Sequence, residues 1–168
     1  GDASLQFQKA HKPALRGPVM EIRKLVFPVD LSAVSAKIAP AVIAFAEAFD
    51  AEIHLVHAAV TMEEIAGIYG PDVLIGNFEK EVVQSAEREL EKFEGKYFAA
   101  YPKRKRAVLQ GDPVEVIIAY LEAELIDLVV MGTHGRKGLD KILFGSFADR
   151  MVRSSPVPVL TINPYRGT

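Results

Sequence analysis

The chain has 168 residues, 49% of them hydrophobic and 25% charged, which suits a globular protein able to bury a core without crosslinks. Its net charge of −2 implies no global attraction to nucleic acid or an anionic membrane. With no cysteine, disulfides, thiolate metal sites and cysteine nucleophiles are excluded, and a cytoplasmic setting is the compatible expectation.

The opening "GDASLQFQKAHKPALRGPV" lacks both periodicity and the apolar core of a signal peptide. Residues 1–21 therefore read as an N-terminal extension or the remnant of a processed tag, with a docked arm as the alternative. The folded unit is expected over 22–165. "KLVFPVD" reads as a strand buried on both faces. "SAVSAKIAPAVIAFAEAFD" follows with Val34, Ile38, Val42, Phe45 and Phe49 on one helical stripe. Pro40 falls inside it and predicts a kink or a late start. "AEIHLVHAAV" is a second strand, on which His54 and His57 look structural rather than metal-binding.

The connection 61–77 carries Gly67, Gly70, Pro71 and Gly76, and Phe78 to Tyr97 is a long amphipathic helix. "KRKRAVLQGD" supplies a third strand, whose basic start reads as a solvated, protected edge rather than a nucleic-acid patch. Asp112 and Pro113 are the N-cap and first residue of the next helix. "IDLVVMG" is a fourth strand, "SFADRMVRS" a short helix and "VPVLTIN" a fifth strand. No apolar run reaches the roughly 18–20 residues of a membrane span.

Alternating strands and helices predict an α/β, Rossmann-like domain: a doubly wound, five-stranded parallel sheet of order 3-2-1-4-5 with helices on both faces. Strands one and four are then neighbours whose helices leave to opposite faces, and a crevice opens beyond their carboxyl ends. The loops lining it are "PVDLS", with Pro28, Val29 and Asp30, and "MGTHG", with Met131, Gly132, His134 and Gly135.

Neither a Walker loop nor a G-x-G-x-x-G fingerprint is present. What stands after strand four is Gly132-x2-Gly135-x9-Gly145-Ser146. The glycines are expected to permit positive φ and close backbone approach. Gly145 and Ser146 open a helix whose first N–H groups lack intrahelical acceptors and suit a phosphate. Arg136 and Lys137 add mobile positive charge, and Asp30 offers an acceptor for ribose hydroxyls or an adenine amino group. Each has a plainer alternative: turn glycines, Ser146 as an N-cap, Asp30 as a cap of the first helix, and Gly138 as a turn residue.

The glycine spacing resembles the G-x2-G-x9-G-[ST] signature of the universal stress protein family. "PVDLS", "LVHA", "GDP" and "PVPVLTI" match in order, from Ile22 to Ile162. The resemblance implies binding of ATP, or of ADP or AMP, with any Mg carried by the phosphates. It places Asp30 and Ala58 at the adenosine end, and Met131, Gly132, Gly135, Gly145 and Ser146 around ribose and phosphates. It also implies a homodimer through the terminal strand, 157–162. Two departures stand out: Phe147 replaces a small β-branched residue, with its N–H still able to donate, and Ala58 is smaller than usual. The expected role is a non-enzymatic nucleotide sensor, with 61–77 as the reporting segment; a slow ATPase or a nucleotide-independent dimeric adaptor are the alternatives. The H-x-G-H and S-G-G-x-D-S motifs of related enzymes are missing after strand one.

Overall fold

The computed structural model describes residues 20–59, 61, 66–68, 70, 78–134 and 145–165. Its elements in chain order are β1 (Lys24–Pro28), α1 (Ala33–Phe49), β2 (Glu52–Ala59), α2 (Phe78–Tyr97), β3 (Arg104–Gln110), α3 (Pro113–Ala123), β4 (Leu128–Gly132), α4 (Ser146–Ser154) and β5 (Val159–Ile162). The five strands form one all-parallel sheet of order β3-β2-β1-β4-β5, the expected doubly wound arrangement. The expected N-terminal extension lies almost wholly outside the described residues. Among the described residues no helix is long and apolar enough to cross a membrane.

Strand side chains alternate between faces, so one strand feeds two cores. Leu25 and Phe27 of β1 join Ile53, Leu55, Leu128 and Val130 beneath α1 and α2, with Ile38, Val42, Leu90 and Phe93 from the helices. Val26, Val56, Val129 and Met131 join Val114, Ile117 and Leu121 of α3 and Ala148 and Met151 of α4 on the other side. Burying each of the larger side chains stabilises the fold by about 1.5–3 kcal/mol.

The helix ends follow local chemistry. Ser32 caps α1 and its hydroxyl accepts from Val34 N, while Asp112 caps α3 by accepting from Val114 N and Glu115 N. Both helices stop at a left-handed residue, Asp50 at φ 55 and Leu125 at φ 54. The following amides, Ala51 N and Ile126 N, bond back to Ala46 O and Leu121 O, the Schellman pattern without its customary glycine. The helix α1 begins at Ala33 and continues through Pro40, so the later start does not occur. Pro40 is exposed, where the Ala36 carbonyl that loses its partner can turn toward water.

The basic start of β3 does more than solvate an edge. Arg104 Nε and Arg106 Nη1 bond the two oxygens of Glu94, at 2.6 and 2.5 Å, and Arg106 also reaches Glu91. Burial pushes Glu94 up, but the hydrogen bonds from Arg106 and Arg104 outweigh it and hold the carboxyl below its usual range. These pairs pin α2 to the edge strand.

His54 is fully buried, between Tyr120 OH on Nδ1 at 2.8 Å and Glu52 Oε1 on Nε2 at 2.7 Å. Burial holds the imidazole below its ordinary 6.5 despite Glu52, and burial together with Glu124 and Glu52 pushes Tyr120 up to about 12. Glu52 therefore accepts from Nε2–H, and Tyr120 donates to Nδ1. Tyr120→Phe leaves a buried acceptor unsatisfied and is expected to cost about 1–3 kcal/mol by denaturant unfolding at neutral pH. As pH falls through about 6.5 the unfolded chain takes up this proton first, so stability should drop with acidification in that range. A flat stability profile there would contradict the buried neutral imidazole.

Candidate functional site

The crevice forms where β1 and β4 lie side by side and their following helices part. The pairs Leu25↔Leu128 and Val26↔Val129 set the register, and α1 and α4 belong to opposite cores. Beyond the strand ends the backbone must turn both ways, which is where doubly wound sheets open a crevice.

On the β1 side, Val29 extends the ladder by one step, its N–H donating to Val56 O at 2.8 Å. Its carbonyl accepts from His57 Nδ1 at 2.7 Å, which assigns the proton to that ring nitrogen. His57 thus clamps the loop from the neighbouring strand. The next residue, Asp30, uses Oδ1 three times: Ser32 N, Ser32 Oγ and Ser35 Oγ donate to it at 3.0, 2.6 and 2.6 Å. Leu31 between them holds φ 60, a left-handed conformation costly for a branched side chain.

On the β4 side, Thr133 N donates to Ile162 O, and Thr133 O accepts from Gly145 N at 2.9 Å. The start of α4 is thereby tied directly to the end of β4. Gly145, with φ −70 and ψ 158, is the N-cap of α4 and supplies no side-chain cap. The first helical return bond is Asp149 N to Gly145 O. The N–H groups of Ser146, Phe147 and Ala148 precede it and have no carbonyl four residues back within the helix.

The glycines differ in what they require. Gly111, at φ +136 before α3, needs glycine for its backbone. Gly132 is not at positive φ; a Cβ there would overlap Ile38 Cδ1 and stand 2.9 Å from His134 O. The expected positive φ is therefore corrected at this position, and the close approach comes from α1 and the chain's own backbone. At Gly145 a Cβ would meet, among the described residues, only Thr133 O at 3.8 Å. Neither its φ nor packing among the described residues asks for glycine at 145.

His134 is buried, its Nδ1 is 2.8 Å from Thr133 Oγ1, and its ring meets that of Tyr165 edge-on at 5.4 Å. Lys37 of α1 sits over the Tyr165 ring, so the C-terminal turn bridges α1 and the β4 loop. Arg150 forms a two-bond pair with the Asp112 carboxylate at 2.9 and 2.8 Å, coupling α4 to the cap of α3. Arg150 and the backbone bonds from Glu115 and Val114 hold Asp112 below its usual range, against a small effect of burial.

Pro28, Val29, Asp30, Ala58, Met131, Gly132, His134, Gly145, Ser146 and Phe147 thus gather at or beside the carboxyl ends of β1, β2 and β4. Gly135, Arg136, Lys137 and Gly138 lie outside the described residues, as does most of 61–77. Met131 spends its side chain in the core, leaving only its main chain for a ligand, and Phe147 packs under α4. Ser146 is the first residue of α4 rather than its cap, because the helical φ/ψ begin there. Ser35, Thr133, Arg150 and Tyr165 escaped the reading of sequence alone. Only the pair of serines two and five residues after Asp30 left a visible trace.

The class these features define is a doubly wound parallel α/β domain with its crevice at the topological switch point. Residues 21–163 match the universal stress protein family, and the chain belongs to that family. Universal stress protein MJ0531 of Methanocaldococcus jannaschii is 34% identical over 142 residues, which cover 83% of this chain and 81% of that protein. The solved structure of hypothetical protein MJ0577 has a TM-score of 0.72 and 26% identity, covering 89% of this chain and 99% of that one. The universal stress protein from Archaeoglobus fulgidus in complex with dAMP shares the fold at 18% identity and a TM-score of 0.51, covering 86% of this chain and 100% of that one.

The contrast between the two site glycines is testable by unfolding. Gly132→Ala should cost about 1–3 kcal/mol through overpacking, and Ile38→Val in the same chain should recover part of it by removing Cδ1. Gly145→Ala should stay within about 1 kcal/mol of the parent, the range for a cap change alone.

Proposed function

We propose that this chain binds an adenine nucleotide, ATP foremost, in the crevice between β1 and β4, and that occupancy reports the nucleotide state of the cell during stress. The observation that carries the reading is Gly145. It opens α4 with no side-chain cap, at an ordinary φ, and among the described residues a Cβ there would meet only Thr133 O, at 3.8 Å. A glycine that neither its φ nor the described neighbours require suits a ligand that must approach the main chain. The N–H groups opening α4 and the helix dipole favour an anion there.

In this reading Pro28, Val29, Asp30 and Ala58 take the adenosine end, with the Asp30 carboxylate accepting from ribose or adenine. The main chain at Met131 and Gly132, with His134, Gly135, Arg136, Gly145, Ser146 and the Phe147 N–H, takes ribose and phosphates. The donor set is neutral or basic around the phosphates, as polyanion binding needs, and a Mg ion would arrive with them. Membership of the family and the dAMP held by the Archaeoglobus relative support the nucleotide class. All four residues of β5 are half-buried at the open edge of the sheet, which supports pairing of two copies through 157–162. A cytoplasmic location belongs to the same reading.

Calorimetry with adenosine, AMP, ADP and ATP tests it. Saturable binding should tighten with phosphate number. Gly145→Val should weaken ATP by about tenfold or more through steric loss of the amide contacts, while adenosine affinity changes little. Absence of saturation with all four ligands, on folded protein, would overturn the reading.

A further inference from the structure

We propose that Ser35, a buried serine on the first turn of α1, is the positioning residue that holds the Asp30 carboxylate ready for the nucleoside end of the ligand. The proposal rests on the nucleotide reading above and assigns a role to a side chain that reading does not use.

Ser35 is 4% exposed, and its hydroxyl is spent entirely on one neighbour. Ser35 Oγ accepts from Asp30 N at 3.1 Å and donates to Asp30 Oδ1 at 2.6 Å. A serine inside a helix more commonly bonds back to a carbonyl of the preceding turn. Here the helix needs nothing from it, because Ser32 already caps α1 by accepting from Val34 N. The two bonds grip the main chain and the side chain of the same residue. They therefore fix both the backbone entry to the loop and the rotation of the carboxylate.

With Oδ1 held by Ser32 and Ser35, the rotation of the Asp30 carboxylate is set before any ligand arrives. Setting it beforehand removes an ordering cost from binding. The left-handed Leu31 belongs to the same device. Its φ of 60 persists because bonds on both sides over-determine the turn, and its side chain packs against the core beneath α1. A glycine at 31 would relax that strain. The arrangement acts on one end of the crevice only; the amides opening α4 do not touch it.

The test compares adenosine and ATP by calorimetry on Ser35→Ala, Ser35→Cys and Ser35→Thr, with thermal unfolding of each. Ser35→Ala is expected to weaken adenosine and ATP by the same factor, about tenfold, as suits loss of a hydrogen bond to a charged group. Ser35→Cys keeps the volume with a much weaker donor; it should show the same equal loss and decides the matter if the alanine variant fails to fold. Ser35→Thr, which retains the hydroxyl, should restore both affinities. Parental affinity in a folded variant lacking the hydroxyl would overturn the proposal, even with a lowered melting temperature, because Ser35 would then be structural only. A loss confined to ATP would overturn it too. If the parent chain itself binds neither ligand, the nucleotide reading fails first, and that outcome is distinguishable because it needs no variant.

Discussion

The lateral pairing of β1 with β4 is the constraint on which the molecule depends. It is locked at the amino end, where Asp127 Oδ2 accepts from Arg23 N and Lys24 N at 2.9 and 3.0 Å. Asp127 N donates to Lys24 O, and Lys24 Nζ bonds Glu124 O, so the register is held by main chain and charge together. Buried apolar side chains then fill both faces of the pair. At the carboxyl end nothing continues the pairing, because α1 and α4 depart to opposite cores. A parallel sheet wound in both directions has to open somewhere, and this is where it opens.

The described polar groups around that opening hold pieces of the two loops in place. His57 clamps Val29, Ser32 and Ser35 hold Asp30, and Thr133 joins β4 to the start of α4. Each fixes a piece of main chain or a carboxylate rather than raising a nucleophile. The fully buried His54 lies elsewhere, in a network with Glu52 and Tyr120 that begins near the amino end of β2. Its hydrogens are consistent with one neutral imidazole between a carboxylate and a phenol, which makes it a stabilising network under α3.

Much of the fold was legible because its signals are local. Asp112 followed by Pro113 marks a helix start through capping and a missing N–H that costs nothing there. The alternating and continuous apolar runs marked all five strands, and the order of the strands follows from right-handed crossovers. The site was legible by position, since Asp30 and Gly132 end adjacent strands. Its reasons were not. Gly132 looked like a residue of unusual φ, but its Cβ would run into Ile38, a residue more than ninety positions away. The basic start of β3 looked like solvation, yet Arg104 and Arg106 meet a buried Glu94 across the packed α2. The Ser146 hydroxyl looked like a cap, but Ser146 is the first helical residue and Gly145 holds the cap position.

The amino-acid order by itself determined which segments are strands and helices, where the helices start, and which two loops would share a crevice. Propensity, capping and hydrophobic period act within a few residues, so they are written locally. Only the tertiary structure decided that Ser32 and Ser35 hold Asp30 Oδ1, that His57 donates to the Val29 carbonyl, and that Thr133 O takes the Gly145 amide. Those facts are distances between parts of the chain that meet after folding, and no local preference encodes them.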